Sequence, residues 1–504
     1  MSALEAELPR AWWVGDGDEL ALRLRLARGA QPAWAALSVA ERQRRLRPVV
    51  QALAANVDAV AAEVTAACGK LPVEALAHDV GGALDAARAA LAVAGQVLAP
   101  RPSGHGWMLH RRTVVERVPH GVVLVISPWN FPLSIPFGQV FAAVLAGNAV
   151  LLKPSEVTPA VGDLVERLFA PAALPSGLLQ VVHGAGDVGA RLIELGPDKI
   201  CFTGSVATGR RVMAAAAAHP IPVSLELGGV DALVVLDDAD LDLASSAAAW
   251  GATFNGGQVC ASVERVLVDE AVADAFRDRL VEKLAAIDPE RDLGPVLAER
   301  QLAVYEQHLA DARRRGLRLH GDGARTASGR VGPVLIEGEG VEASLAYREE
   351  TFGPFVAFAR FRGDADAVRL HNATDFGLTA SVFGADRARA VARQLRVGLV
   401  SVNDVAATLH AFGDVPWGGV GRSGFGNSHG PEALLDLTRP RVLDEERVRL
   451  RIKRPWWYPY DPHQVELMSA FTRLVAGTGA RSRGRAALEL GRSAARLFSQ
   501  NPRR

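Results

Sequence analysis

From residue 33 to about residue 96 the alanine-rich chain carries apolar residues three and four apart, a period that predicts two or three amphipathic helices. Residues 100–110 are rich in breakers and read as a link, and residues 111–118 alternate as an exposed strand does. Short apolar runs follow, each trailed by a helical stretch. Residues 121–126 lead to a helix around 137–146, and 149–152 to a helix around 160–169. Residues 178–182 lead to a helix around 188–195, and 200–202 to a helix from Gly209. Apolar strands alternating with helices predict an α/β fold with a doubly wound parallel sheet. A second alternating series runs from Ala232 to about Ala411, with strand-like runs at 232–236, 265–268, 356–361 and 399–402, and predicts a second α/β body. No internal repeat or low-complexity segment interrupts this pattern.

A chain of 504 residues exceeds one ordinary domain, so two domains with large cores are expected. Basic and acidic residues number 56 each, and this zero balance gives no global sign of a nucleic-acid partner. Cys68, Cys201 and Cys260 are too scattered for a disulfide framework or a Cys-x-x-Cys metal site, which favours a reducing compartment. The N-terminus lacks a basic segment followed by an apolar one, which argues against secretion. The longest apolar runs, such as 121–127 and 141–152, are short of a membrane span. A soluble cytoplasmic protein is the expectation, with the tail as the one reservation. Arginine outnumbers lysine about tenfold, so each lysine draws attention, Lys153 among them. The histidines form no ligand-spaced cluster, and no metal is implied.

Candidate chemistry concentrates at Asn255-Gly256-Gly257-Gln258-Val259-Cys260 and at Leu225-Glu226-Leu227-Gly228-Gly229 upstream. A cysteine in a glycine-softened loop has the backbone freedom to present its sulfur to a cleft. Glu226, about thirty residues earlier, ends an apolar run and is a candidate base. Thiol plus carboxylate suits covalent catalysis: the thiolate attacks a carbonyl carbon, and the base later activates water.

These two segments resemble the signature motifs of the NAD(P)-dependent aldehyde dehydrogenase superfamily, with Cys260 as nucleophile and Glu226 as general base. Ser127-Pro128-Trp129-Asn130-Phe131-Pro132 is similar to a third motif, which implies that Asn130 and the Cys260 backbone N–H bind the oxyanion. Glu349-Glu350-Thr351-Phe352-Gly353-Pro354 matches a fourth, which implies that Glu350 holds the nicotinamide ribose and Phe352 packs by the ring. The dinucleotide turn resembles residues 202–209, where glycines let a helix N-terminus approach the pyrophosphate. Gly184-Ala185-Gly186-Asp187-Val188-Gly189 also fits Gly-x-Gly-x-x-Gly, but no acidic residue stands in a clear second-strand position about twenty residues on. It is partly a decoy that leaves Gly186 to the adenine pocket. The resemblance assigns Lys153 and Glu156 to the adenosine ribose hydroxyls. It completes the cofactor site with Ile126, Ser127, Trp129, Ser155, Gly204, Ser205, Gly209 and Leu227. A carboxylate at that ribose repels a 2′-phosphate, so Glu156 favours NAD, with NADP possible.

Segments 372–378 and 416–424 also resemble the family and read as scaffold, and residues 402–410 look most like the class 3 branch. The resemblance spans roughly 33–448. It departs at Val230-Asp231-Ala232, where the family usually has lysine and then a small-residue/proline pair. Trp417 replaces a common phenylalanine. Expected domains are an NAD-binding part, 1–228 with some of 412–449 and with oligomerisation strands at 103–118, a catalytic part, 229–411, and an extension, 450–504. The implied reaction is oxidation of an aldehyde to a carboxylic acid; the alternatives are a CoA-acylating dehydrogenase or a non-catalytic protein on the same fold. A homodimer is the class 3 expectation. Residues 454–460 form an aromatic-proline clamp, and from Glu466 onward eight arginines face two glutamates. That tail reads either as a helix frayed or packed on a subunit, or as a basic interfacial helix at a membrane surface.

Overall fold

The computed structural model describes residues 17–104, 111–448, 457–458, 460 and 462–500. Residues 105–110 of the expected link at 100–110, and residues 454–456 and 459 of the aromatic clamp, lie outside them; within that link residues 101–103 form a strand. Contacts divide the chain into a large unit, Met1–Pro100 with Glu116–Arg441, and a small one, Arg101–Val115 with Val442–Arg504. Residues 103–104 and 111–115, expected with the cofactor part, fall in the small unit.

The large unit opens with helices Gly17–Ala35, Val39–Ala55 and Val57–Cys68. The first lies mostly upstream of the predicted helical region. Leu20, Leu22, Leu24 and Leu26 alternate with other residues and leave no obvious helical stripe. The helix buries Leu20, Leu24, Ala27 and Trp34, while Leu22 and Leu26 stay about half exposed, at 47% and 50%. Ser38 and Glu41 form a reciprocal cap on the second helix. Helix Gly81–Val97 follows a wide turn, Ala75–Val80.

A six-stranded sheet comes next, built from β3 (Val122–Ile126), β4 (Ala149–Lys153), β5 (Leu179–Val181), β6 (Lys199–Thr203), β7 (Val223–Glu226) and β15 (Gly424–Phe425). Its order is β15-β7-β6-β3-β4-β5, parallel except for β15. Helices Ser134–Ala146, Pro159–Phe169, Gly186–Glu194 and Val206–Ala217 make the crossovers. The last begins three residues before the predicted Gly209, because Ser205 caps it by accepting from the Thr208 N–H. A seven-stranded sheet takes β8 (Asp231–Val235), β9 (Val263–Asp269), β10 (Arg318–His320), β11 (Val334–Glu337), β12 (Phe355–Phe361), β13 (Thr379–Phe383) and β14 (Leu399–Val402). Its order is β10-β11-β12-β9-β8-β13-β14, and only β10 is antiparallel. Along β8 the side chains alternate between two apolar clusters: Leu233 and Val235 join one, Ala232 and Val234 the other. The chain passes from one sheet to the other through Leu227-Gly228-Gly229-Val230, so the tip of β7 sits where the two meet.

In the small unit, β1 (Arg101–Ser103) pairs antiparallel with residues 113–115 of β2 (Arg111–Pro119). Arg111 Nε meets Asp444 Oδ2 at 2.6 Å. Helices Pro462–Ala476 and Ala480–Gln500 pack on each other and bury Leu467, Ala470 and Ala486. Among the described residues no single helix is long and apolar enough to cross a membrane.

Candidate active site

Helix Leu241–Thr253 ends at Phe254, and the chain then takes three successive left-handed residues, Asn255 (φ 53°), Gly256 (φ 64°) and Gly257 (φ 73°). Asn tolerates this region better than most residues, and glycine enters it freely. Gly257 is required for space as well, since a Cβ there would run into the Gly353 backbone. This coil delivers Cys260, half-buried, just before β9. Burial pushes the Cys260 thiol far up, and the charges of Glu350, Asp231 and Glu226 push it the same way, against one backbone hydrogen bond at Ala261. The resting sulfur is a thiol and needs a base.

Buried polar groups hold the coil in place. Asn130 Nδ2 donates to the Gln258 carbonyl at 3.0 Å, and Asn255 Nδ2 donates to the Asn130 carbonyl at 3.1 Å. An amide nitrogen carries two hydrogens, so Asn130 keeps a second donor beyond the one given to Gln258. Lys70 Nζ donates to the same Asn130 carbonyl at 2.8 Å while paired with Asp79 Oδ2 at 2.5 Å. Asp79 Oδ1 accepts from the Leu133 and Ser134 N–H groups, and Glu74 Oε1 accepts from the Asn255 N–H at 2.8 Å. The sequence reading missed Lys70, Glu74 and Asp79. The scarcity of lysine was the one signal that could have found Lys70.

Glu226 ends β7, with its backbone tied on both sides: Gly204 N–H donates to its carbonyl, and Leu227 N–H donates to Ser423. Its carboxyl is buried, and neither oxygen has a hydrogen-bond partner among the described residues. Burial raises it well above the usual carboxylate range, with Asp436 adding to the effect. The group opens on a small cavity lined by Gln139, Cys201, Ser224, Ser428 and Asp436. It lies within electrostatic reach of Cys260.

Glu350 accepts from the Gly229 N–H at 3.3 Å and lies so close to Gly228 that a Cβ there would collide with its carboxylate. Burial raises its pKa to about 8. Buried Glu264, also missed in the sequence, accepts from the Thr351 and Phe352 N–H groups at 2.9 Å. That grip holds Phe352 at φ 53°, where its ring meets Trp129 edge-on at 5.5 Å. At the Val230-Asp231 departure, Asp231 is buried and accepts from Thr379 Oγ1 at 2.6 Å, and burial raises it to about 7.

Most of the residues assigned to the cofactor stand at or just past the C-terminal ends of β3, β4, β6 and β7. Lys153 and Glu156 face each other at 3.0 Å, and burial, which alone would raise Glu156, is outweighed by Lys153 so that its pKa is lowered. Ser155 Oγ accepts from the Val157 N–H and shapes this turn. Ile126 lies beside Gly189, as does the Lys153 stem. Ser127 Oγ is buried with no hydrogen-bond partner among the described residues. Gly204 and Ser205 precede the N-terminus of helix Val206–Ala217, and a Cβ at Gly209 would strike Leu227. At Gly186 a Cβ would meet open space, so nothing in the protein itself demands glycine there.

Two parallel α/β sheets with a cysteine coil and a buried glutamate at their junction define an oxidoreductase of the aldehyde dehydrogenase class. The chain belongs to the aldehyde dehydrogenase family, whose model matches residues 14–443. It is 40% identical to a 4,4'-diapolycopene aldehyde oxidase of Methylomonas sp, covering 90% of this chain and 87% of that one. It is 37% identical to a betaine aldehyde dehydrogenase of Cereibacter sphaeroides, covering 82% and 86%. Among solved structures it resembles a putative aldehyde dehydrogenase from Burkholderia cenocepacia (TM-score 0.81, 34% identity, 87% and 92% coverage). A betaine aldehyde dehydrogenase from Staphylococcus aureus in complex with NAD+ matches with TM-score 0.82, 26% identity and 88% and 90% coverage.

Proposed function

We propose that the protein oxidises an uncharged, apolar aldehyde to its carboxylic acid with NAD+, using Cys260 as nucleophile, Asn130 as oxyanion donor and Glu226 as base. The observation that carries the reading is the direct bond between the Asn130 amide and the Cys260 coil, at Gln258. That contact keeps an N–H donor next to the carbon the sulfur would attack. Glu226 or its water takes the thiol proton, and the sulfur adds to the carbonyl to give a thiohemiacetal. Bound nicotinamide supplies the hydride acceptor. A thioester on Cys260 results, and water activated by Glu226 releases the acid. Lys153, Glu156, the 204–209 turn and Glu350 are the groups that would hold the dinucleotide.

The apolar substrate follows from what surrounds the sulfur. Cys260 packs against a cluster that includes Phe131, Phe254 and Trp417. His410 bridges Phe131 (5.7 Å) and Trp417 (4.9 Å), and burial holds it well below its usual pKa, so it is neutral. Aromatic faces attract quaternary ammonium groups, but Lys70 Nζ already stands 4.1 Å over the Phe131 ring. That lysine is buried and paired with Asp79, so neither a cationic nor an anionic aldehyde finds an unpaired countercharge there. The named relatives include one for 4,4'-diapolycopene aldehyde and others for betaine aldehyde and succinate semialdehyde.

A steady-state panel tests this: decanal and benzaldehyde against betaine aldehyde and succinate semialdehyde, each with NAD and NADP. Apolar aldehydes should give the higher kcat/KM by about a hundredfold, the scale of a charge left unpaired in a dry pocket. Equal use of either charged aldehyde would sink the substrate assignment.

A further inference from the structure

We propose that Asp436 receives the proton that Glu226 collects from the Cys260 thiol and passes it to solvent before deacylation, through a water in the cavity the two residues share. This rests on the aldehyde-oxidising reading above. In deacylation the water forms a C–O bond to the thioester carbon and gives one proton to the Glu226 carboxylate. Collapse then breaks the C–S bond, and its electron pair leaves on the Cys260 sulfur. The departing sulfur takes that proton back to restore the thiol, so the proton Glu226 must shed in each turnover is the one it took from Cys260, and it must shed it before it can activate this water.

Among the described residues, Asp436 offers Glu226 an exit. Both of its oxygens are buried without a hydrogen-bond partner among the described residues, as is Gln139 Oε1 on the same cavity. Buried carboxyl oxygens are nearly always satisfied by protein or water. The cavity, about 10 Å³, is at the threshold for one water molecule; its wall is mostly apolar, with polar groups contributed by Gln139, Ser224, Glu226 and Asp436. Across it stands Asp436, on helix Gly430–Asp436, which accepts from Ser224 Oγ and from Lys199 Nζ at 3.0 Å. Exposure orders the route: the Glu226 residue is 6% exposed, whereas the Asp436 side chain is 28% exposed and reaches bulk water.

The other groups facing Glu226 do not serve. Burial pushes the Cys201 thiol to about 12, so it stays protonated. The sulfur of Cys260 is bound in the thioester at that stage and accepts no proton. Lys199 stands behind Asp436 as its counter-ion, with its side chain only 3% exposed. His120 reaches only the Asp436 backbone carbonyl, at 3.1 Å. Asp436 thus acts on Glu226 and never touches the substrate.

The test uses the full chain with NAD and benzaldehyde, comparing the unaltered protein with Asp436→Asn and with Lys199→Met/Asp436→Asn. The double variant removes both members of the ion pair and keeps the test open if the single one leaves Lys199 buried and the protein misfolded. The first turnover of NADH should remain at full amplitude in rapid mixing. Steady-state turnover should fall about tenfold, below the range for loss of a direct acid–base group, and its solvent deuterium isotope effect should rise. A purely structural role would not raise the isotope effect. Unchanged turnover and isotope effect in a folded variant overturn the proposal. Loss of the first turnover together with the later ones also overturns it, because Asp436 would then act before hydride transfer. If the unaltered protein makes no NADH from any aldehyde, the parent reading falls, and this inference with it.

Discussion

Lys70 Nζ lies 2.5 Å from Asp79 Oδ2 and 2.8 Å from the Asn130 carbonyl oxygen, so a buried ion pair grips the backbone of the residue whose amide faces the cysteine coil. Both side chains are almost fully sealed, at 1% and 0% exposure. Breaking such a pair from one side leaves an uncompensated charge in the interior.

Lys70→Met should therefore destabilise the large unit by about 3–5 kcal/mol. Scanning fluorimetry would register a lower Tm. Lys70→Met/Asp79→Leu, which removes both charges, should recover much of the loss. A Tm unchanged in the single variant would show that the pair does not bind the coil to the core.

Cys260 and Glu226 are expected to fail at different steps. Cys260→Ser should abolish NADH formation, because a hydroxyl is a far poorer nucleophile. Glu226→Gln should keep a burst of NADH of up to about one equivalent per site while turnover drops about 10²–10⁴-fold. Mass spectrometry should find the acyl adduct on Cys260. Cys68 and Cys201 lie buried in an apolar core cluster, whereas Cys260 is half-buried, so neither should be reached by the aldehyde. An adduct on another cysteine would refute the assignment.

The raised carboxyls set a pH dependence. Asp231 moves from 3.8 to about 7 and Glu350 from 4.5 to about 8, so between those values the folded protein holds protons that the unfolded chain has released. Stability then falls as pH rises, with full support only below the unfolded values. Melting temperature should decline between about pH 5 and pH 8, and Asp231→Asn or Glu350→Gln should flatten the curve. A Tm that climbs over this window would contradict the burial argument.

Glu156 should favour NAD, since its carboxylate, held low by Lys153, repels a 2′-phosphate. Glu156→Thr should shift the ratio of kcat/KM values toward NADP by about tenfold, near the lower end for one close charge pair. Better use of NADP than NAD by the unaltered protein would overturn this.

Strands β3, β4, β6 and β8 were legible because each is a short apolar run whose burial on both faces is written in adjacent residues. Cys260, Glu226 and Asn130 were legible because their motifs are local: glycines beside a thiol, a carboxylate at the end of an apolar run, prolines around Trp129 and Asn130. Helix Gly17–Ala35 was not legible, because its buried leucines alternate with equally apolar exposed ones.

Charge was the least readable property. Lys70, Glu74, Asp79, Glu264 and Asp436 look in sequence like any solvated side chain. Lys70 meets the Asn130 carbonyl 60 residues away, Glu74 meets Asn255 at a separation of 181, and Ser224 meets Asp436 at 212. Sequence by itself determined which segments alternate, which loops bend and which side chains carry chemistry, because those depend on neighbours along the chain. Tertiary structure alone decided which charges lose water, which partners compensate them and where the buried glutamate opens, because desolvation depends on what the fold brings close in space.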